Sequence, residues 1–145
     1  MGWCIRSPTK NVLPPREDSI KEATMAHWNR FEDMKVWRDG RALVRKIYQI
    51  SSNRPFSRDF GLREQIRRAA VSTVSNIAEG YERDSHREFL RYLHISKGSC
   101  GEVRTQLYLA QDLAYLSAQD FTSVYGMCLD ISKQLAGMIR YFKNA

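Results

Sequence analysis

A ten-residue run from Ala69 to Ala78, AAVSTVSNIA, carries no charged side chain and is held between Arg67-Arg68 and Glu79. It lies in a segment where Leu62, Ile66, Ala69, Ala70, Thr73 and Ile77 recur at helical spacing and form one face. A helix on the outside of a lone bundle needs one apolar stripe and shows charge elsewhere. Here the positions away from the stripe are Val71, Ser72, Val74, Ser75, Asn76 and Ala78, all small or neutral. The run is therefore expected to be buried on more than one side, either as the most central helix of a monomer or at contacts between copies of the chain.

Three further segments share this periodicity. The first, about 33–52, places Val36, Gly40, Leu43, Val44, Ile47 and Ile50 on one face and is stopped before Pro55, which lacks an N–H. The helix with the neutral run spans about 60–80, with Gly80 as its expected stop. Ser85-His86-Arg87-Glu88 has the form of a capping box and opens a third helix, about 85–116, some 48 Å long at roughly 1.5 Å per residue. Its stripe runs Phe89, Tyr92, Leu93, Ser96, Cys100, Val103, Leu107, Ala110 and Ala114, and Gly98 and Gly101 offer small positions for close approach by the second helix. Ser117-Ala118-Gln119-Asp120 repeats the capping signal before a fourth helix, about 118–143, with Phe121, Val124, Tyr125, Cys128, Ile131, Leu135, Met138, Ile139 and Phe142 as its stripe. No segment alternates as a strand would. The expectation is an all-α, antiparallel, up-down-up-down four-helix bundle over 29–145, preceded by a flexible extension, 1–28, which contains Pro8, Pro14 and Pro15.

At 145 residues, with 43% hydrophobic and 27% charged residues, the chain has material for one core. No stretch approaches the roughly 18 consecutive apolar residues of a membrane span, so no membrane partner is expected and a cytoplasmic location is the default. Cys4, Cys100 and Cys128 are too scattered for a disulfide framework or a zinc site, and the latter two fall on apolar helix faces.

Catalysis needs reactive groups that converge. Glu79, Glu82, Asp84, His86 and Glu88 gather around one turn, but Glu88 fits helix capping and the others belong to a solvent-facing turn. Glu79 suits a pair with Arg83 four residues on, or with an arginine of a neighbouring copy. No phosphate-binding glycine loop, nucleophile elbow or zinc-protease motif occurs, so neither an enzyme nor a cofactor or metal site is expected.

The formal charge of +7 is unevenly placed, with a net +4 between residues 33 and 60. Arg38, Arg41 and Arg45, flanked by Lys35 and Lys46, share the outward face of the first helix. Such a stripe can neutralise phosphates and release their counterions, which makes it the candidate surface for RNA or another nucleic acid. The alternative is a solvated face on a protein-interaction scaffold that touches no nucleic acid.

Three blocks carry a family resemblance: FEDMKVW at 31–37, FGLREQIRRAAVSTVSNIAEGYERDSHREFLRYL at 60–93 and GSCGEVRTQLYLAQDLAYL at 98–116. They resemble the four-helix bundle proteins first noticed as reading frames in intervening sequences of bacterial 23S ribosomal RNA genes. The resemblance implies a left-handed bundle that assembles as a homopentameric ring, with no established activity. It supports the oligomer reading of the neutral run, in which Arg67, Arg68, Ser72, Ser75, Asn76 and Glu79 are the candidate contacts between copies. A related bundle, the accessory variability determinant of diversity-generating retroelements, binds nucleic acid and a reverse transcriptase, so a reverse transcriptase is an implied partner. Family members commonly carry Ile-Pro where this chain has Thr73-Val74.

Overall fold

The computed structural model describes residues 28–144, and the expected extension therefore lies outside the described residues except for Trp28. Among them are four α-helices, two single 3-10 turns at Phe31–Asp33 and Phe56–Arg58, and no strand. The helices are α1, Lys35–Ser51; α2, Phe60–Glu82; α3, His86–Asp112; and α4, Ala118–Lys143.

Each helix begins where a side chain satisfies an orphan amide. The Leu62 N–H donates to the Asp59 carboxylate at the start of α2, the Glu88 N–H to the Ser85 hydroxyl before α3, and the Asp120 N–H to the Ser117 hydroxyl before α4. The box at Ser85 is only half closed, because the Glu88 carboxylate turns to Arg91, 2.7 Å away.

Two helix ends differ from the sequence expectation. Gly80 does not stop α2, which continues to Glu82. A Cβ placed on Gly80 would lie 2.6 Å from the Tyr92 Cβ of α3, so this glycine serves close approach between helices. Helix α3 ends at Asp112, about 40 Å from its start at roughly 1.5 Å per residue. Ala114 leaves the core stripe, exposed at φ 61°, while the Tyr115 N–H reaches back to the Ala110 carbonyl at 2.8 Å in a Schellman closure.

Neighbours pack in the order α1, α2, α3, α4 and back to α1, with the most extensive contact between α2 and α3. Hydrogen bonds fix the register: Ser72 meets Ser99, Ser96 donates to the Thr73 carbonyl, and the Tyr92 hydroxyl donates to Glu79. Residue numbers rise along α2 as they fall along α3. The core runs through Leu43, Ile47, Ile66, Leu93, Leu107 and Leu135, with both described cysteines buried and the Cys100 thiol donating to the Cys128 carbonyl.

The neutral run is buried on two sides. Ala69, Ala70, Thr73 and Ile77 face the core, and Val74 packs so tightly on α1 that a Cβ at Gly40 would lie 3.1 Å from it. Ser72 and Asn76 line the α3 side, where the Asn76 amide donates to the Ser72 carbonyl at 2.7 Å. Val71 and Ser75 remain exposed. Close approach is not made at Gly98 or Gly101, where an added Cβ would meet nothing within 4 Å.

Candidate nucleic-acid interface

Five of the 17 residues of α1 are Lys or Arg, and Asp39 is its one acid. Burial of Val36, Gly40, Leu43, Ile47 and Ile50 turns these cations outward, since the remaining angular sector faces solvent. They are not equivalent. Lys35 Nζ sits 2.6 Å from Asp39, which also accepts from the Gln134 amide of α4 at 2.7 Å. Partial burial raises the Asp39 carboxyl, but the hydrogen bonds from Lys35 and Gln134 outweigh it and hold the group below its usual range.

Arg38 donates through Nη1 to the carbonyls of Glu32 and Asp33, at 3.1 and 2.8 Å, and so closes the 3-10 turn before α1. Arg41 lies 5.9 Å from the Trp37 ring centroid. Arg41, Arg45 and Lys46 have no carboxylate within 4.0 Å among the described residues. Two exposed arginines in the turn that follows, Arg54 and Arg58, extend the same end of the helix. Their signal was in the sequence, because both contribute to the excess charge of segment 33–60.

The residues expected at contacts between copies divide in the same way. Arg67 is held within the chain, with Nε 2.8 Å from the Ser51 hydroxyl, Nη2 3.1 Å from that of Ser52, and its guanidinium 4.4 Å from the Tyr48 ring centroid. Arg68 and Ser75 are exposed, and Ser72 bonds to Ser99 across the helix pair.

Glu79 pairs with Arg83 at 3.0 Å and accepts from the Tyr92 hydroxyl at 3.1 Å. The Arg83 hydrogen bond, with that from Tyr92 second, holds its carboxyl below the usual range. A depressed carboxyl adds stability above its unfolded pKa and loses it as pH falls through the folded one. The difference in Tm between the native protein and Glu79→Gln is thus expected to be constant near neutrality and to shrink as pH falls below the ordinary glutamate pKa of about 4.3, in thermal melts across a pH series.

Around the same turn, the His86 ring donates to the Phe142 carbonyl at 2.6 Å and packs on the Phe142 ring, which ties α3 to the end of α4. Among the described residues no three His, Cys, Asp or Glu side chains are grouped so as to hold a metal ion. No described helix is long and apolar enough to cross a membrane.

One surface feature is assembled only by the fold. Tyr108, Phe121 and Tyr125 form a ring cluster with centroids 5.1 to 5.3 Å apart, and Arg104 donates to the Tyr125 hydroxyl at 3.0 Å. The periodicity of α4 places Phe121 and Tyr125 on the core stripe, whereas the structure leaves them half-buried at its edge. Tyr108, four residues after Arg104 and outside the stripe of α3, was the available signal.

A crystal structure of a protein of unknown function from the S23 ribosomal protein family, from Bacteroides thetaiotaomicron, shares this fold. It is 23% identical, superposes with a TM-score of 0.67, and the match covers 72% of this chain and 98% of that one. No curated protein matches the chain. The sequence model described as 23S rRNA-intervening sequence protein matches residues 32–137, most of the described bundle. By that match the chain belongs to the family of 23S rRNA-intervening sequence proteins.

Proposed function

We propose that this chain is a non-catalytic, up-down-up-down bundle that forms a homo-oligomer and binds structured RNA or another nucleic acid through the outward end of α1. The observation that carries the reading is the set of cations without acidic partners: Arg41, Arg45 and Lys46 on α1, continued by exposed Arg54 and Arg58. Cations already neutralised by a carboxylate release few counterions from a phosphate backbone, whereas unpaired ones release them fully. Lys35 is therefore a minor contributor, paired with Asp39, while Arg38 keeps its charge but is oriented by two carbonyls.

Self-assembly is supported by exposed Val71, Ile95 and Leu109 on the outer side of α2 and α3, and a homopentameric ring by the family resemblance. A ring would repeat the basic surface, so weak phosphate contacts would gain from multivalency. The resemblance to retroelement accessory proteins extends the reading to a ribonucleoprotein setting, with a reverse transcriptase as protein partner. A protein scaffold without nucleic acid is the second reading, favoured by the surface cluster of Tyr108, Phe121 and Tyr125.

Fluorescence anisotropy of a structured RNA hairpin across a salt series tests the first reading. The triple variant Arg41→Ala, Arg45→Ala, Lys46→Ala is expected to lower the slope of log K against log salt by about 2 to 3. The single variant Lys35→Ala, which removes a cation already paired with Asp39, should change it far less. An unchanged slope in the triple variant, or no binding at low salt, overturns the reading and favours the scaffold.

A further inference from the structure

On the outer side of the α2–α3 pair, Gln65, Arg68, Ala69, Ser72, Glu102 and Gln106 line an open cavity of about 250 Å³. Ser72 is bonded to Ser99, but three other polar groups of the lining stand without partners among the described residues. Gln106 is only 7% exposed, and its Oε1 is buried without a hydrogen-bond partner. Arg68 and Glu102 line the same cavity from opposite helices, yet neither forms an ion pair with any described residue. A buried acceptor left unpaired keeps the full cost of its desolvation, so the cavity is chemically incomplete within one chain.

The walls around it are apolar or small. Ile95, Glu102 and Leu109 follow one another at seven-residue spacing on α3, and the two apolar members are 38% and 46% exposed. On α2, Ser72 and Ser75 succeed Arg68 along the opposite lip. An occupant must bring a cationic donor for Glu102 and the Gln106 oxygen, an acceptor for Arg68, and a surface flat enough to reach the serine-lined floor.

The outer face of α4 has those properties. Gly126, Asp130, Lys133 and Gly137 stand at i, i+4, i+7 and i+11, which is one face of the helix. Asp130 and Lys133 are exposed and form no ion pair among the described residues. A Cβ at Gly126 would meet nothing within 4 Å, and one at Gly137 would meet only the Arg140 guanidinium, at 3.9 Å. The two charges thus sit between positions where the backbone itself can come close to a neighbour.

We propose that the α2–α3 groove seats α4 of a second copy of this chain, with Lys133 of the partner subunit against Glu102 and Gln106 and the partner's Asp130 against Arg68. The contact joins two different faces, so it is heterologous and propagates from copy to copy until a ring closes. It rests on the homo-oligomer reading above and names the surfaces that reading leaves open.

Sedimentation velocity and native mass spectrometry of the full chain test it, with circular dichroism to verify that each variant is folded. Glu102→Lys and Lys133→Glu, both at exposed positions, should each weaken assembly by at least about tenfold, because each places like charges face to face. The double variant should restore assembly, since it rebuilds the pair with reversed sign. An oligomer unchanged in both single variants overturns the groove assignment and leaves self-assembly standing. Single variants that dissociate without rescue in the double overturn the Lys133–Glu102 pairing, and a monomeric native protein overturns both the groove and the oligomer.

Discussion

Truncation of Phe89 to alanine is expected to lower the free energy of unfolding by about 3 to 5 kcal/mol, a large part of what a domain of this size has. Phe89 is fully buried, and its ring meets Trp28, Tyr81 and Phe142 with centroids 6.4, 6.2 and 5.0 Å away. Those three rings come from the segment before α1, from α2 and from α4, so the cavity would open where four parts of the chain join. None can refill it alone: the Tyr81 hydroxyl is held by the Trp28 carbonyl at 3.0 Å, and Phe142 is held through His86. Urea denaturation followed by helical circular dichroism, at one protein concentration, gives the measurement. A loss below about 1 kcal/mol would mean that the end of the bundle collapses onto the space and would contradict this packing.

Gly80→Ala is expected to destabilise by about 1 to 3 kcal/mol, against the usual helical preference for alanine over glycine of about 1 kcal/mol. The new methyl group would lie 2.6 Å from the Tyr92 Cβ and 3.3 Å from the Phe89 ring. Tyr92 Cβ is bonded to the backbone of α3, so no rotamer change moves it away, and the two helices have to separate. Gly101→Ala is the internal control, because an added Cβ there meets nothing within 4 Å and the helical preference should appear unopposed as a gain. Opposite signs for the two substitutions in the same denaturation assay are the expected result. Equal signs would sink the account of Gly80 as the point of closest approach.

These two positions show what the amino-acid sequence disclosed. Ser85 and Ser117 were legible as helix starts, because a hydroxyl reaching an amide three residues on is a local event. The buried stripes of α1 and α4 were largely legible too, since periodicity reports burial directly. Gly80 looks like a stop in sequence because its reason lies across the helix pair, in Tyr92, and a local pattern cannot hold that. The early end of α3 was hidden because an alanine, Ala114, takes the left-handed position where glycine gives the usual signal. Gly98 and Gly101 misled in the reverse direction: their small size was visible, whereas the open space beside them was not.

The candidate surface followed the same division. Outward placement of Arg41, Arg45 and Lys46 was written in the spacing of α1. That Arg38 donates to two backbone carbonyls depends on the 3-10 turn at Phe31–Asp33, whose geometry no spacing rule encodes. Arg67, expected at contacts between copies, is held within the chain by Ser51, Ser52 and Tyr48, partners on another helix that no local spacing reveals.

The aromatic junction at Trp28 has a topological consequence. Trp28 and Phe142 have ring centroids 6.4 Å apart, so the folded unit is entered and left at one spot, like a loop drawn shut by a cord. Arg54 and Arg58 lie at the far end of the bundle, on the turn between α1 and α2. The basic turn is therefore presented at the opposite end from the junction where the two ends of the bundle meet.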